Sequence, residues 1–344
     1  MKVYGGIDLH SDNSVVALTD ESDKVLYRKR LPNELPIILE ALNPHREPLQ
    51  GLVVESTYNW YWLVDGLMEA GYRVHLANTA AIVQYEGLKH TDDDTDAMFL
   101  AKLLHLGILP EGYIYPKAGR AVRDLLRKRS QLVRQRTANL LSVQNLFARN
   151  LGHTPNGNAV KRMRDQTVER LMEDDCRALA VKSNLAIMQA LEAQIKILEK
   201  AVKARARLQP QFQPLLTVNG IGDILGLTIM LETGDIGRFP HVGDYASYCR
   251  CVGSNKLTNG KKKGKGNTKN GNRYLAWAYV EAANFAVRYC PQIKRYYQRK
   301  RAKTNGIVAT KTVAHKLARA CYHILRDQVP FEVEKAFRHP DLTT

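Results

Sequence analysis

Val3-Tyr-Gly-Gly-Ile-Asp-Leu-His-Ser11 is an apolar run that carries an acid near its end, at Asp8. Its composition predicts a strand over residues 2–9, with Asp8 near the strand's end. The same pattern returns at Gly51-Leu-Val-Val-Glu-Ser-Thr57, where a buried strand over 52–54 ends on Glu55. Between them, Val15–Leu18 and Val25–Tyr27 read as two more strands, and Glu34–Leu42 as a short helix. Beyond them, Trp60–Ala70 is helical up to Gly71, and Arg73–Leu76 is another strand. Lys89-His-Thr-Asp-Asp-Asp-Thr-Asp-Ala97 then opens an amphipathic helix that runs to Leu106. Its Ala97, Leu100, Ala101, Leu104 and His105 share one face.

Three consecutive strands followed by alternating helix and strand is the order of an α/β RNase H-like domain, here over residues 1–115. If the two acid-ended strands are neighbours, Asp8 and Glu55 meet at the sheet edge. Asp93 and Asp96 are three apart and share a helix face. Asp92 and Asp96, four apart, share one too, so spacing leaves two registers open. Any one of these acids alone reads as a surface residue or a helix cap. Together they read as a metal site, because clustered carboxylates repel unless cations neutralise them. Two divalent ions, Mg²⁺ or Mn²⁺, about 4 Å apart would stabilise the attacking and leaving oxygens of a phosphodiester displacement.

The chain has 344 residues, 44% hydrophobic and 25% charged, with a net charge of +17. That size allows two or three domains with proper cores. Residues 1–115 carry 9 Lys+Arg against 17 Asp+Glu, a net of −8, and the remainder carries 42 against 17, a net of +25. An acidic head on a basic body fits a metal-binding module joined to a frame that holds a polyanion. Met1-Lys2-Val3-Tyr4 lacks the apolar core of a signal peptide. No run approaches the ~20 apolar residues of a membrane span. Five scattered cysteines, with Cys249-x-Cys251 lacking a second half, point to reduced thiols rather than a zinc site. The expectation is a cytoplasmic protein with no membrane partner.

Residues 116–208 read as a helical middle region. Nine Lys or Arg, Arg127 and Arg134 among them, and one acid, Asp124, occupy residues 117–150 around an apolar helical stripe. A second long helix runs from about Leu185 to Arg207. Its Met188, Leu191, Ile195, Leu198 and Val202 alternate spacings of three and four, a coiled-coil periodicity. The stripe serves either an intramolecular hairpin or self-association into a dimer or tetramer, and self-association is the expectation. Residues 153–175 carry little pattern.

Residues 209–344 read as a mainly α-helical third module. Leu216-Thr-Val-Asn-Gly-Ile-Gly-Asp-Ile-Leu-Gly-Leu227 has the form of a helix-hairpin-helix, with Gly220 and Gly222 offering backbone N–H groups to a phosphate. Next comes Lys256-Leu-Thr-Asn-Gly-Lys-Lys-Lys-Gly-Lys-Gly-Asn-Thr-Lys-Asn-Gly-Asn-Arg273. Its seven cations, Lys256, Lys261, Lys262, Lys263, Lys265, Lys269 and Arg273, alternate with Gly and Asn, and no acid interrupts them. Glycine lets the backbone approach phosphates, and each neutralised phosphate releases counterion. A basic helix from Gly306 to Asp327 brings Lys311 and Lys316 to one face.

The chain resembles the DEDD transposases of bacterial insertion sequences, a group that includes pilin-gene invertases and bridge-RNA-guided recombinases. The Gly-Ile-Asp start, Val54-Glu55-Ser56 and Asp93-x-x-Asp96-Ala97-x-x-Leu100-Ala101 match the RuvC-like half of that family. Gly220-Ile-Gly222, Tyr248-Cys-Arg-Cys-Val-Gly253 and the Asn259–Leu275 segment match its C-terminal transposase domain. The resemblance selects Asp93 as the partner of Asp96. It implies a metal-dependent recombinase guided by a structured RNA, with a hydroxyl nucleophile that links covalently to DNA. The family usually places a serine just before the Asn-Gly-Lys segment, whereas this chain has Thr258 there. Threonine keeps the hydroxyl but is more hindered and stiffer at χ1. Ser254 is the fallback. The competing reading is a RuvC-type junction resolvase or nuclease that uses water and forms no covalent link.

Overall fold

The computed structural model describes residues 1–82, 93–206, 209–253, 255–259, 261–265 and 270–337. Two compact units divide the chain. One holds Met1–Lys117 and Ser254–Asn270, and the other holds Ala118–Gly253 and Gly271–Thr344.

Strands β1 (Val3–Leu9), β2 (Asn13–Asp20) and β3 (Val25–Pro32) pair antiparallel. On the other side of β1, β4 (Leu49–Glu55) and β5 (Val74–Ala77) pair parallel, giving the order β3-β2-β1-β4-β5. Successive side chains of a strand face opposite ways, and the two faces have separate cores. Val3, Ile7 and Leu9 of β1, with Leu52 and Val54 of β4, pack with Ile38 and Leu42 of α1 (Leu35–Leu42) and Leu63 and Leu67 of α2 (Tyr61–Glu69). The other face carries Val15, Ala17 and Val53, covered by Ala97, Leu100 and Leu103 of α3 (Asp93–His105).

Alternation therefore turns Asp8 and Glu55 toward the α3 face. The parallel register pairs Ile7 with Val54, so the next residues, Asp8 and Glu55, are neighbours at the strand ends. Gly6 lets α3 approach: a Cβ there would overlap the Ala97 carbonyl and lie 2.9 Å from the Ala101 amide nitrogen. Small residues at Gly6, Ala17, Ala97 and Ala101 thus press the acid-bearing helix onto the acid-bearing strands.

The second unit is helical. It begins with α4 (Lys117–Leu151), α5 (Gly157–Arg162), α6 (Asp165–Met172) and α7 (Asp175–Ala206). Val143 and Phe147 of α4 pack with Val160, Val168 and Met172, and with Val181, Leu185 and Met188 of α7. Arg129 pairs with Glu199 at 2.8 Å, and Arg136 with Glu192. The apolar stripe expected to self-associate is therefore used within the chain: Met188, Ile195 and Val202 are buried by it. The weakly patterned stretch 153–175 supplies the two short helices of the connection.

The remaining elements are α8 (Phe212–Leu216), α9 (Asp223–Thr233), α10 (Val242–Tyr248), the hairpin β6 (Asn255–Thr258) and β7 (Lys261–Lys265), α11 (Arg273–Tyr289), α12 (Pro291–Lys303), α13 (Gly306–Asp327) and α14 (Val333–Ala336). Leu126 of α4 and Val202 of α7 share one core with α9, α11 and α13, so the middle helices and the C-terminal helices form one unit. Alanines at 278, 282, 283 and 286 of α11 let it pack closely on Val313, Ala314, Leu317 and Ala318 of α13. Among the described residues, no helix is long and apolar enough to cross a membrane.

Candidate catalytic site

Asp8 is 4% exposed. Glu55 is half-buried at the end of β4 and shares a hydrogen bond with Asp8. Burial first, then that bond and the charges of Asp8 and Asp96, push the Glu55 carboxyl up to about 8. The pair thus holds a proton at neutral pH. Asp93 is the first residue of α3. Its Oδ2 lies 2.5 Å from Arg30 Nη2 and 3.2 Å from His10 Nε2. The Arg30 hydrogen bond, with His10 adding to it, holds Asp93 below the usual carboxylate range. His10 Nε2 also lies 3.2 Å from Asp8 Oδ2, so Asp8, His10 and Asp93 offer donor atoms within 4.8 Å of one another. Asp96, one turn along α3, is half-buried, and its charge reaches Glu55.

The four acids singled out in the sequence therefore converge. Asp92 lies outside the described residues. Two neighbours belong to the cluster that the sequence reading missed. His10 shares the face of Asp8 by the period of two. Arg30 is aligned through the register Asp8↔Val15↔Arg30 across β2. The turn after β1 is fixed by side chains: the His10 carbonyl accepts from Asn33 Nδ2 at 3.1 Å and from Asn59 Nδ2 at 2.8 Å. Ser14 and Thr57 hydroxyls in turn donate to those asparagines at 2.6 and 2.9 Å. Hard carboxylate oxygens from three elements, held in this way, suit Mg²⁺ or Mn²⁺. Arg30 and the Glu55 proton offset part of the charge that such ions would neutralise.

Thr258 is exposed at the end of β6, where it pairs with Lys261. Lys261 and Lys263 are exposed on β7, and Lys256, Lys262 and Lys265 lie in the two strands. Ser254 and Lys269 lie outside the described residues. Arg134 and Lys311 are exposed, and Arg273 is exposed beside the Tyr274 ring.

Three residues expected at phosphates have partners within the chain. Arg127 forms a two-point ion pair with the buried Glu232. Lys316 donates to the Ala336 carbonyl at 2.8 Å and lies over the Tyr296 and Phe337 rings. Gly220, with φ +91°, is pressed against Ala282 and Ala286 of α11, while Gly222 is open at the start of α9. A basic surface was missed. Residues 282–326 hold 11 Lys or Arg and no acid, and Lys294, Arg295, Lys300, Arg301 and Lys303 of α12 are exposed.

A family model described as the transposase family IS116/IS110/IS902 matches residues 212–298. A second, described as a transposase and named for the DEDD type of IS110, matches residues 5–149, which contain all four acids. Both parts of the chain are thus similar to IS110-type DEDD transposases. A Pseudomonas aeruginosa protein named "Probable family 20 transposase" is 27% identical over 278 residues, covering 77% of this chain and 80% of that protein. A Streptomyces coelicolor protein named as an insertion element IS110 uncharacterized 43.6 kDa protein is 24% identical over 155 residues, covering 45% of this chain and 38% of that one. The DEDD-type match takes in nearly the whole sheet, α3 and nearly all of α4. The other match runs from α8 into α12 and includes the Thr258 hairpin.

Proposed function

We propose that this protein is a transposase that cuts and rejoins DNA with Asp8, Glu55, Asp93 and Asp96 as ligands of divalent ions and Thr258 as the attacking hydroxyl. The observation that carries the reading is the convergence of two strand-end acids with two acids of α3, in a chain whose two parts match transposase families. Residues 1–115 act as the RuvC-like, RNase H-like catalytic module, 116–208 as the helical linker, and 209–344 as the transposase module. When bound, Mg²⁺ or Mn²⁺ would stabilise charge on the phosphodiester oxygens. The Thr258 Oγ–P bond forms as the P–O3′ bond breaks; the hydroxyl loses its proton, the departing 3′-oxygen takes one up and leaves as a 3′-hydroxyl, and one DNA end stays on the protein. Attack by a 3′-hydroxyl reverses the step and rejoins strands, conserving the bond energy. The exposure of Thr258 supports this role, as does its place in the segment grouped with the acid-bearing sheet.

The lysine hairpin, Arg134, Arg273, Lys311 and α12 hold phosphates, and the Gly222 turn offers backbone N–H groups. A structured guide RNA is the second polyanion in this reading, on the family resemblance, and the setting is the cytoplasm. A homo-oligomer would use a surface other than the α7 stripe. The test is a detergent-stable protein–DNA adduct that requires Mg²⁺ or Mn²⁺ and maps to the Thr258 peptide. One observation favours a second reading: His10, among the acids, is placed to serve a water nucleophile, as in a junction resolvase. Metal-dependent cutting with no adduct selects that reading.

A further inference from the structure

Glu232 of α9 is 2% exposed, and three donors converge on its carboxylate. Arg127 of α4 donates from Nε to Oε1 at 2.6 Å and from Nη2 to Oε2 at 2.7 Å. Asn272 donates from Nδ2 to Oε2 at 2.7 Å. A carboxylate this deep is costly unless its partners stay in place. Asn272 Oδ1 in turn accepts from the Tyr274 and Leu275 amides and caps α11. The Asn272 backbone N–H donates to the Tyr248 carbonyl at 2.6 Å. One residue earlier, Gly271 has φ +83°, and a Cβ on it would strike that same carbonyl. The Gly271 carbonyl accepts from Arg250 Nε at 3.1 Å. The Arg127 guanidinium also lies 4.7 Å from the Tyr274 ring centre.

These bonds tie together the two places where the chain leaves the helical unit and returns to it, on either side of segment 254–270. That segment carries Thr258. A two-stranded hairpin is marginal by itself, so its roots decide where its tip is held. We infer that Arg127, Glu232 and Asn272 form a clamp that positions the Thr258 hairpin, and that Arg127 is a positioning residue and not a phosphate contact. The inference rests on the Thr258 nucleophile reading.

The test uses the full-length protein and a duplex carrying the element's end, with Mg²⁺. Adduct formation at saturating DNA, the Kd with its salt slope, and hydrogen exchange of residues 255–265 are measured for wild type, Glu232→Gln, Arg127→Met and Gly271→Ala. Gly271→Ala disturbs the same root without removing a charge, should Glu232→Gln fail to fold. The expected result is an adduct rate lowered roughly tenfold or more, since misplacement of about 1 Å can cost 10²-fold. Exchange in the hairpin should quicken, with the Kd and salt slope unchanged. Arg127→Lys should not rescue, because it lacks the planar fork. Wild-type adduct rates and hairpin exchange in folded variants overturn the clamp. So does a salt slope reduced by about 0.9 in Arg127→Met at an unchanged saturating rate, the mark of a phosphate contact. If wild type itself cuts without an adduct, the nucleophile reading fails separately, and hairpin exchange alone still decides the clamp.

Discussion

Glu55→Gln should remove a pH dependence that the metal-free protein otherwise has. Burial, the Asp8 bond and the charges of Asp8 and Asp96 hold the Glu55 carboxyl at about 8, against 4.5 for an ordinary Glu. Between these values the folded chain keeps a proton that the unfolded chain releases. The stabilising contribution of that proton is complete below about 4.5 and is lost as pH rises through 8. One proton of difference gives a slope of at most about 1.4 kcal/mol per pH unit. Titrations of groups away from the acid cluster cancel when wild type and Glu55→Gln are compared by urea unfolding in chelator from pH 5.5 to 7.5. The wild-type advantage should shrink steadily across that range. Metal ligation needs the carboxylate, so wild type should release close to one proton per Mn²⁺-binding event at pH 7. Calorimetry in two buffers of different ionisation enthalpy counts it. A flat stability difference together with proton-neutral metal binding would refute the clustered-acid site.

Asp8→Asn and Asp96→Asn should abolish strand cleavage while nucleic-acid binding in filter assays stays near wild type, and Asp93→Asn should be tolerated less well than Asp92→Asn. Gly6→Ala should cost about 1–3 kcal/mol in unfolding experiments by pushing α3 off β1, and it should weaken Mn²⁺ binding, because Asp93 and Asp96 move with the helix. Replacing Lys261 and Lys263 by Gln should lower the log–log salt slope of duplex binding by about 0.9 for each phosphate that is no longer neutralised; an unchanged slope removes the hairpin from the phosphate surface. Thr258→Val should eliminate the adduct while Thr258→Ser retains it, as read by denaturing gels and peptide mapping.

The strand-end acids were readable because a strand's period of two and a parallel register need only a short apolar run on each side. The same period offered a signal for His10, two residues after Asp8, that the sequence reading did not use. Arg30 was hidden because its approach to Asp93 depends on the alignment of three strands. Charge type was visible in Arg127 and Lys316, but their partners were not. Glu232 lies 105 residues from Arg127, and the carbonyl that holds Lys316 belongs to Ala336. The α7 stripe announced an apolar face without saying which chain covers it. The connection through α5 and α6 decides that, by folding α7 back on α4. Gly220 shows the same ambiguity, since a glycine that frees an N–H also lets a neighbouring helix come close.

These placements divide the chemistry between two kinds of support. The acids stand on a five-stranded sheet, packed on both faces, with the turn after β1 held by Asn33 and Asn59. That frame keeps a repulsive cluster together, since Arg30 and the Glu55 proton relieve part of the repulsion before any ion is present. Thr258 stands on a short hairpin whose strands are only four and five residues long. A rigid half suits charge stabilisation, which depends on preorganised geometry. In the proposed mechanism, a short hairpin suits a nucleophile that must act only when DNA is in place, because a hairpin tip placed by its roots can be set or released without disturbing the acids.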